Sequence, residues 1–260
     1  ANTTASNNTA VGYQAAQLNT TGTENVAVGR LALNQTTTAS YNTAIGTNAL
    51  QANTTGANNT ALGRSALTAS TTAANNVAVG KNAGGANTTG ASNTVVGALA
   101  GDAITKASNH TAVGYNASGS ATIGLGNTSV GSGANASMIT SSYNTAVGYN
   151  ALERNTHTGN TAVGWTAGYD LLFGVNNTAI GKDAQPPGSH VSNTFTLGDG
   201  SITNLRCNDT SISSLSDRRD KAEITDLEST AGLELIMKLR PVTYYWDRRE
   251  WYDDGIADGS

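Results

Sequence analysis

Few residues of this 260-residue chain have side chains suited to chemistry. His110, His157 and His190 lie in separate segments, so their spacing does not predict a metal site. Asp170 and Asp183 are not obviously paired in the sequence, which disfavours a glycosidase. The sequence contains neither a phosphate-binding glycine loop nor a recognisable Ser-His-Asp arrangement. We therefore expect no metal and no cofactor.

The segment from Ser216 to Lys221 reads Ser-Asp-Arg-Arg-Asp-Lys and combines a hydroxyl, acids and bases. Taken alone, it is typical of a helix start, with Ser216 as the N-cap and acids in the first turn. A leucine-rich apolar stripe predicts a helix from about 226 to 239. Pro241 ends that helix, and the following residues, 242–246, predict a strand.

Before this segment, a glycine recurs along the chain, and the residue that follows it varies in type. This variable column contains Tyr13, Arg30, Thr47, Arg64, Lys81, Ala98, Tyr115, Ser132, Tyr149, Trp165 and Lys182. Its aromatic members, Tyr13, Tyr115, Tyr149 and Trp165, are candidate contacts for a glycan or protein receptor. The alternative is an ordinary exposed column that tolerates any long side chain.

The composition indicates what kind of scaffold must carry these residues. Alanine, threonine, glycine, asparagine and serine make up more than half of the chain, while aromatic residues are 5% and charged residues 12%. Small side chains bury too little apolar area for a conventional globular core. A net charge of −4 without a basic patch argues against nucleic-acid binding. No apolar run approaches the length of a membrane span.

A repeat organises most of the sequence. Its pattern, Asn-Thr-Ala-Val-Gly with small variations, recurs every 17 residues, with one spacing of 16. The repeat glycines are Gly12, Gly29, Gly46, Gly63, Gly80, Gly97, Gly114, Gly131, Gly148, Gly164, Gly181 and Gly198. Helices are excluded in this region because Thr, Asn and Gly fill every turn. The repeat therefore predicts short stacked strands.

Each column of the repeat predicts a role. The residue before the glycine (Val11, Val28, Ile45 and their equivalents) is expected to point inward from a strand. The glycine itself is expected at a tight turn closed to other residues. Alanine always stands three residues after the glycine, which predicts the close approach of a neighbouring chain's backbone. The asparagines that open the copies are expected to form a ladder.

The fold class predicted is all-β: a trimeric β-solenoid or β-roll stalk of 17-residue repeats, followed by a small α+β segment. One coil buries too little to offset the ordering of its backbone, about 1–2 kcal/mol per residue, so we expect several chains to associate. Residues 1–198 would form the stalk, 199–215 a β-rich connector and 216–260 the carboxyl-terminal segment. Single-residue chemistry in the stalk is not needed for such a structural role.

The Asn-Thr-Ala-Val-Gly copies resemble the head repeats of trimeric autotransporter adhesins, which form trimeric left-handed β-rolls. Similar repeats occur in viral and phage fibres. The resemblance covers about three quarters of the chain, and it implies a homotrimer. The 17-residue period is longer than the usual head repeat.

The carboxyl-terminal motifs resemble the S74 peptidase family, the self-cleaving intramolecular chaperones of phage tail fibres and tailspikes. The resemblance rests on Leu215 to Lys221, on Lys238-Leu239-Arg240-Pro241-Val242 and on Trp246. It implies that Ser216 attacks the carbonyl of Leu215 and that Lys221 is the base. The family's chaperone is usually longer than 216–260, so we expect the sequence to end within it.

These patterns predict a phage tail fibre protein of the virion: a homotrimeric stalk for host attachment, with a self-cleaving chaperone that assists trimer folding. Beyond that single-turnover cleavage we expect no enzymatic activity. One alternative is a cellular trimeric adhesin head on a bacterial surface. Another is an ice-binding solenoid, suggested by the abundant threonine.

Overall fold

The computed structural model of the chain describes residues 4–204. These residues form one parallel sheet of twelve three-residue strands, in the order in which they occur along the chain. The strands are β1 (Thr9–Val11), β2 (Val26–Val28), β3 (Thr43–Ile45), β4 (Thr60–Leu62), β5 (Val77–Val79), β6 (Thr94–Val96), β7 (Thr111–Val113), β8 (Thr128–Val130), β9 (Thr145–Val147), β10 (Thr161–Val163), β11 (Thr178–Ile180) and β12 (Phe195–Leu197).

Each strand pairs with the equivalent residues of the next repeat. Thr43 pairs with Thr60 and Ile45 with Leu62, and the same register holds from β1 to β12. A strand and the residues up to the next strand form one coil, numbered here by its strand. The chain from 4 to 204 is thus a β-solenoid without a helix, which confirms the predicted all-β repeat fold. The predicted helix at 226–239 and strand at 242–246 lie outside the described residues.

The repeat glycine makes the corner after each strand. From Gly12 to Gly164 its φ lies between +131° and +141°, a region that other residues rarely adopt. A Cβ atom placed on Gly80 would lie 2.5 Å from the carbonyl oxygen of Gly97 in the next coil. Both the backbone angle and the contact between coils therefore require glycine, which confirms the predicted tight turn.

The strand side chains point in the opposite direction to the one predicted from the sequence. The central residue of each strand from β2 to β11, such as Ala27, Ala44 or Ala61, is buried, whereas Val11 and Leu62 before the glycine are exposed. The prediction that the residue before the glycine points inward is wrong. In a three-residue strand, alternation buries one side chain and exposes two, and the interior beside the sheet accommodates alanine at most of the central positions.

The alanine three residues after the glycine is also explained within one chain. Ala32, Ala49 and Ala66 are fully buried in their own coil, so the expectation that a neighbouring chain's backbone lies against them is wrong. Each points into the narrow solenoid interior beside the strand alanines. The next residue, Leu33, Leu50 or Leu67 in coils 2–4, fills the remaining space.

A polar ladder lines one corner of the interior. The side-chain oxygen of Asn42 accepts bonds from the backbone N–H of Asn59 at 2.9 Å and from its amide group at 3.1 Å. The amide group of Asn59 also donates to the carbonyl of Ala73 at 2.9 Å. These asparagines are fully buried, and their bonds satisfy both the side chain and the turn beside it. The predicted asparagine ladder is confirmed.

Candidate functional site

The solenoid places every predicted receptor-contact residue on its surface. Tyr13 is 67% exposed, Tyr115 59%, Tyr149 50% and Trp165 49%. Each follows the repeat glycine, where the backbone turns the corner and the next side chain projects outward. Tyr13 in coil 1 and Tyr115 in coil 7 stand apart from the others. Their neighbours along the column are Arg30 for Tyr13, and Ala98 and Ser132 for Tyr115.

Tyr149 and Trp165, in contrast, lie on adjacent coils and stack. Their ring centroids are 6.4 Å apart, with an angle of 11° between the planes. The ammonium group of Lys182, on the next coil, lies 5.4 Å from the centre of the Trp165 ring. Stacking and a cation–π contact together hold the indole in one orientation at the surface.

A groove opens beside Trp165, which we call the Trp165 groove. It has a volume of about 350 Å³ and is open to solvent. Its lining residues are Trp165, Thr166, Tyr169, Asp170, Asp183 and Gln185.

The groove exists because coil 11 departs from the repeat. At the position equivalent to Asp170 in coils 1–8, the backbone N–H donates to a backbone carbonyl of the following coil, as Gln35 donates to Gln51 at 3.0 Å. In coil 11 the chain runs Gln185-Pro186-Pro187-Gly188. Here the side chain of Gln185 replaces the backbone as hydrogen-bond partner: it accepts from the N–H of Asp170 at 3.1 Å and donates to the carbonyl of Thr166 at 2.7 Å.

Two ion pairs balance the charge around the groove. Arg154 lies 3.3 Å from Asp170, and Lys182 lies 3.1 Å from Asp183. The hydroxyl of Thr166 donates to Asp183. That hydrogen bond, followed by the proximity of Lys182, lowers the pKa of the Asp183 carboxyl, so this group is ionised at neutral pH.

A second exposed column runs through the same coils. Phe173 is half exposed and lies edge-on to His157, with ring centroids 5.5 Å apart. The ring of His190 lies 4.7 Å from that of Phe173. In coils 1–5 the equivalent positions are threonines, Thr21, Thr38, Thr55, Thr72 and Thr89.

His110 is buried in the interior of the solenoid. It occupies a position of the asparagine ladder, where its Nε2 lies 2.8 Å from the carbonyl oxygen of Gly124. Its Nδ1 is buried without a hydrogen-bond partner. Burial lowers the pKa of the imidazole, and the bond to Gly124 offsets only part of this effect. Among residues 4–204, no three His, Cys, Asp or Glu side chains come close enough together to hold a metal ion.

The outer surface of the sheet, which we call the strand face, consists of the first and third residues of β1–β12. Threonine or valine occupies the first position in eleven strands, and Phe195 in the twelfth. Valine, isoleucine or leucine occupies the third position in all twelve strands. Several of these side chains are exposed, including Val11, Ile45, Leu62 and Val163. The strand face is therefore a continuous β-branched and apolar stripe along the solenoid.

Residues 216–258 match the Peptidase_S74 family, described as the chaperone of endosialidase. The match begins at Ser216 and includes Lys221, which confirms the predicted resemblance for this segment. Neither the curated proteins nor the solved structures gave a match to this chain. Leu215, Ser216 and Lys221 lie outside the described residues, so the proposed cleavage site stays a prediction. Within 4–204, no helix is present that could cross a membrane.

The exposed column was predicted from the sequence, whereas the Trp165 groove was not. Tyr169 and Gln185 did not stand out, and Asp170 and Asp183 were not expected to be paired, because these residues come together only when coils 10 and 11 stack. One signal was available in the sequence. The pair Pro186-Pro187 interrupts the repeat at the place where the backbone would otherwise cover the groove.

Proposed function

We propose that this chain is a subunit of a homotrimeric fibre whose solenoid is a stalk and whose segment 216–258 is an intramolecular chaperone. The observation that carries the proposal is the strand face. A stripe of twelve apolar third positions is larger than a solvated surface usually presents. The same face on two further copies would cover it, and the chaperone match supports an assembly that needs assistance.

The composition of the solenoid interior supports the same proposal. Within one chain the core consists mainly of alanine, with one leucine in several coils. Each alanine buries little area, so the interior contributes little free energy per coil. Among the described residues, the strand face is a continuous stripe of apolar side chains, several of which a single chain leaves exposed. Association through it would supply the burial that the alanine interior lacks.

The oligomeric state tests this proposal directly. Sedimentation equilibrium of the full chain should give the mass of three copies. The double variant Val79→Lys with Val96→Lys puts two charges on the strand face and should dissociate the trimer. The matched control, Ala98→Lys with Ser132→Lys, puts two charges on the outward column and should stay trimeric. A wild-type monomer, or equal behaviour of both variants, would refute association through this face.

We propose further that the stalk attaches a phage virion to a host-cell glycan or protein through Tyr13, Tyr115, Tyr149 or Trp165. All four are exposed on the solenoid, and two of them line up on adjacent coils. The chaperone match favours a tail fibre of the virion over an adhesin head on a bacterial surface. Purified trimer should compete with virions for adsorption to host cells. Full adsorption at saturating trimer would contradict this role.

The ice-binding alternative is supported by one observation. The first strand position is threonine in nine of the twelve strands, all in one sheet. The trimer would bury this same face, and an ice-binding solenoid would expose it. Thermal hysteresis together with a monomeric mass would favour the alternative.

We propose that segment 216–258 also cuts the chain. Ser216 would attack the carbonyl carbon of Leu215, and Lys221 in its neutral form would take the hydroxyl proton. The C–N bond between Leu215 and Ser216 would then break, and the proton would pass from Lys221 to the Ser216 nitrogen, which leaves as a free amine. The resulting ester would then be hydrolysed by water, which frees residues 1–215. Intact-mass spectrometry should find this fragment for the wild type and not for Ser216→Ala or Lys221→Ala. Equal cleavage of all three chains would show that another residue or a contaminating protease is responsible.

A further inference from the structure

The Trp165 groove differs from the rest of the stalk in its chemistry. It combines two aromatic side chains, Trp165 and Tyr169, with a hydroxyl, two carboxylates and an amide. Ligand sites typically have this composition: apolar walls for area and a few polar groups for orientation. The corresponding positions in coils 2–5 carry no aromatic side chain.

The groove is organised before any ligand arrives. Trp165 is held by the Tyr149 ring and the Lys182 ammonium. Tyr169 lies under the guanidinium of Arg154, 5.8 Å from its carbon to the ring centre. Gln185 is fixed by two backbone bonds. Side chains that are already ordered lose little entropy on binding, which favours affinity in a shallow site.

The pattern of hydrogen-bonding groups selects a class of ligand. A pyranose ring has an apolar side of C–H groups that packs on aromatic surface, and a rim of hydroxyls that donate and accept. Asp170 and Asp183 supply acceptors at the groove, and Thr166 supplies a hydroxyl. A saccharide therefore matches both the apolar wall and the polar rim.

The charge of the groove further restricts which saccharides can bind. Its two carboxylates are each paired with a cation, Asp170 with Arg154 and Asp183 with Lys182. No cation among the lining residues is left to neutralise an acidic sugar, and the carboxylates would repel one. An uncharged sugar needs no cation to neutralise it and is not repelled by the carboxylates.

We propose that the Trp165 groove is a subsite for an uncharged hexose or N-acetylhexosamine unit of a surface glycan. This inference rests on the proposed attachment function and deepens it, because it assigns a place and a ligand class to the contact. The groove lies where coil 11 breaks the repeat.

A glycan microarray with the full-length protein tests the proposal. The array should carry neutral bacterial surface polysaccharides, maltohexaose and chitotetraose, with oligosialic acid as the anionic probe. We expect binding to at least one uncharged glycan and none to oligosialic acid. Trp165→Ala should weaken that binding at least tenfold, and Tyr41→Ala, which removes a comparably exposed ring in coil 2, no more than twofold.

The outcomes separate the two proposals. If an uncharged glycan binds and Trp165→Ala does not weaken that binding, attachment stands and the groove is not its site. If no uncharged glycan binds, or if oligosialic acid binds best, the saccharide assignment is wrong. Virion competition by the trimer then still decides the attachment function. Circular dichroism of both variants should match the wild type, since both residues are exposed.

Discussion

Coils 2–5 carry Thr38, Thr55, Thr72 and Thr89 in one exposed column, whereas coils 9–11 carry His157, Phe173 and His190 at the same places. The adjoining outward column changes from Arg30, Thr47, Arg64 and Lys81 to Tyr149, Trp165 and Lys182. The interiors hardly change. Coil 2 buries Ala27, Ala32 and Leu33, and coil 9 buries Ala146, Ala151 and Leu152.

This comparison separates what the fold requires from what it permits. Inward positions are restricted by the narrow interior and by the contact between glycines of successive coils. Outward positions meet only solvent and the equivalent residues one coil away. The amino-terminal coils therefore keep a regular surface, while coils 9–11 use the same scaffold to assemble aromatic and charged groups.

The largest expected effect comes from the glycine corner that both regions share. Gly80→Ala puts a Cβ against the backbone of Gly97 at a φ of +134°. It should lower the free energy of unfolding by about 3–5 kcal/mol, measured by denaturant titration. Gly188→Ala is the control, since its nearest contact would be 3.4 Å from a side-chain methyl. Equal stability of the two variants would contradict the required contact between coils.

The asparagine ladder should give the next largest effect. Asn59→Ala removes the acceptor for the N–H of Asn76, at 3.0 Å, and the donor to the carbonyl of Ala73. Leaving these buried groups unpaired should cost about 2–4 kcal/mol. Thr72→Ala, an exposed position in the next coil, should change stability by less than about 0.5 kcal/mol. Comparable losses in both variants would mean that the ladder is not a source of stability.

His110→Asn should repair the one ladder position between Asn8 and Asn177 that is not asparagine. An asparagine oxygen there can accept from Asn127, as at the other links, and the unpartnered Nδ1 disappears. We expect a gain of about 1–2 kcal/mol in the free energy of unfolding at neutral pH. A loss of stability would mean that the imidazole packs at position 110 better than an asparagine does.

The same substitution should alter the pH dependence of stability. Burial lowers the pKa of His110 in the folded chain, so the unfolded chain binds this proton more readily. The stability contributed by the neutral imidazole is present above the unfolded pKa of about 6.5 and is lost as the pH falls below it. Unfolding titrations at pH 7 and pH 5 should show a smaller difference for His110→Asn than for the wild type.

The smallest effect should come from exchanging a surface column between the two regions. Phe173→Thr gives coil 10 the residue of coils 1–5 at an exposed position. The free energy of unfolding should change by less than about 0.5 kcal/mol, measured as for the other variants. A loss above about 2 kcal/mol would show that the aromatic column of coils 9–11 is part of the structure and not only its surface.

The sequence predicted the repeat, the glycine corner and the asparagine ladder because each depends on local rules or on contacts between identical positions. It did not predict which strand side chain points inward. Ala44 and Ile45 are adjacent and both apolar, so alternation alone does not decide between them, and the narrow interior does. The Trp165 groove was missed for a different reason. Its residues belong to two coils, and only the stacking of those coils brings them into one groove.

The most direct test of the central claim, that the strand face is buried between chains, is a comparison of two cysteine variants. Val96→Cys lies on the strand face and Ala98→Cys on the outward column, and both positions are half-buried in a single chain. With Cys207 replaced by Ser, the rate of thiol alkylation is measured for each full-length protein. The trimer predicts that Cys at 96 reacts at least tenfold more slowly than Cys at 98. Equal rates would contradict it.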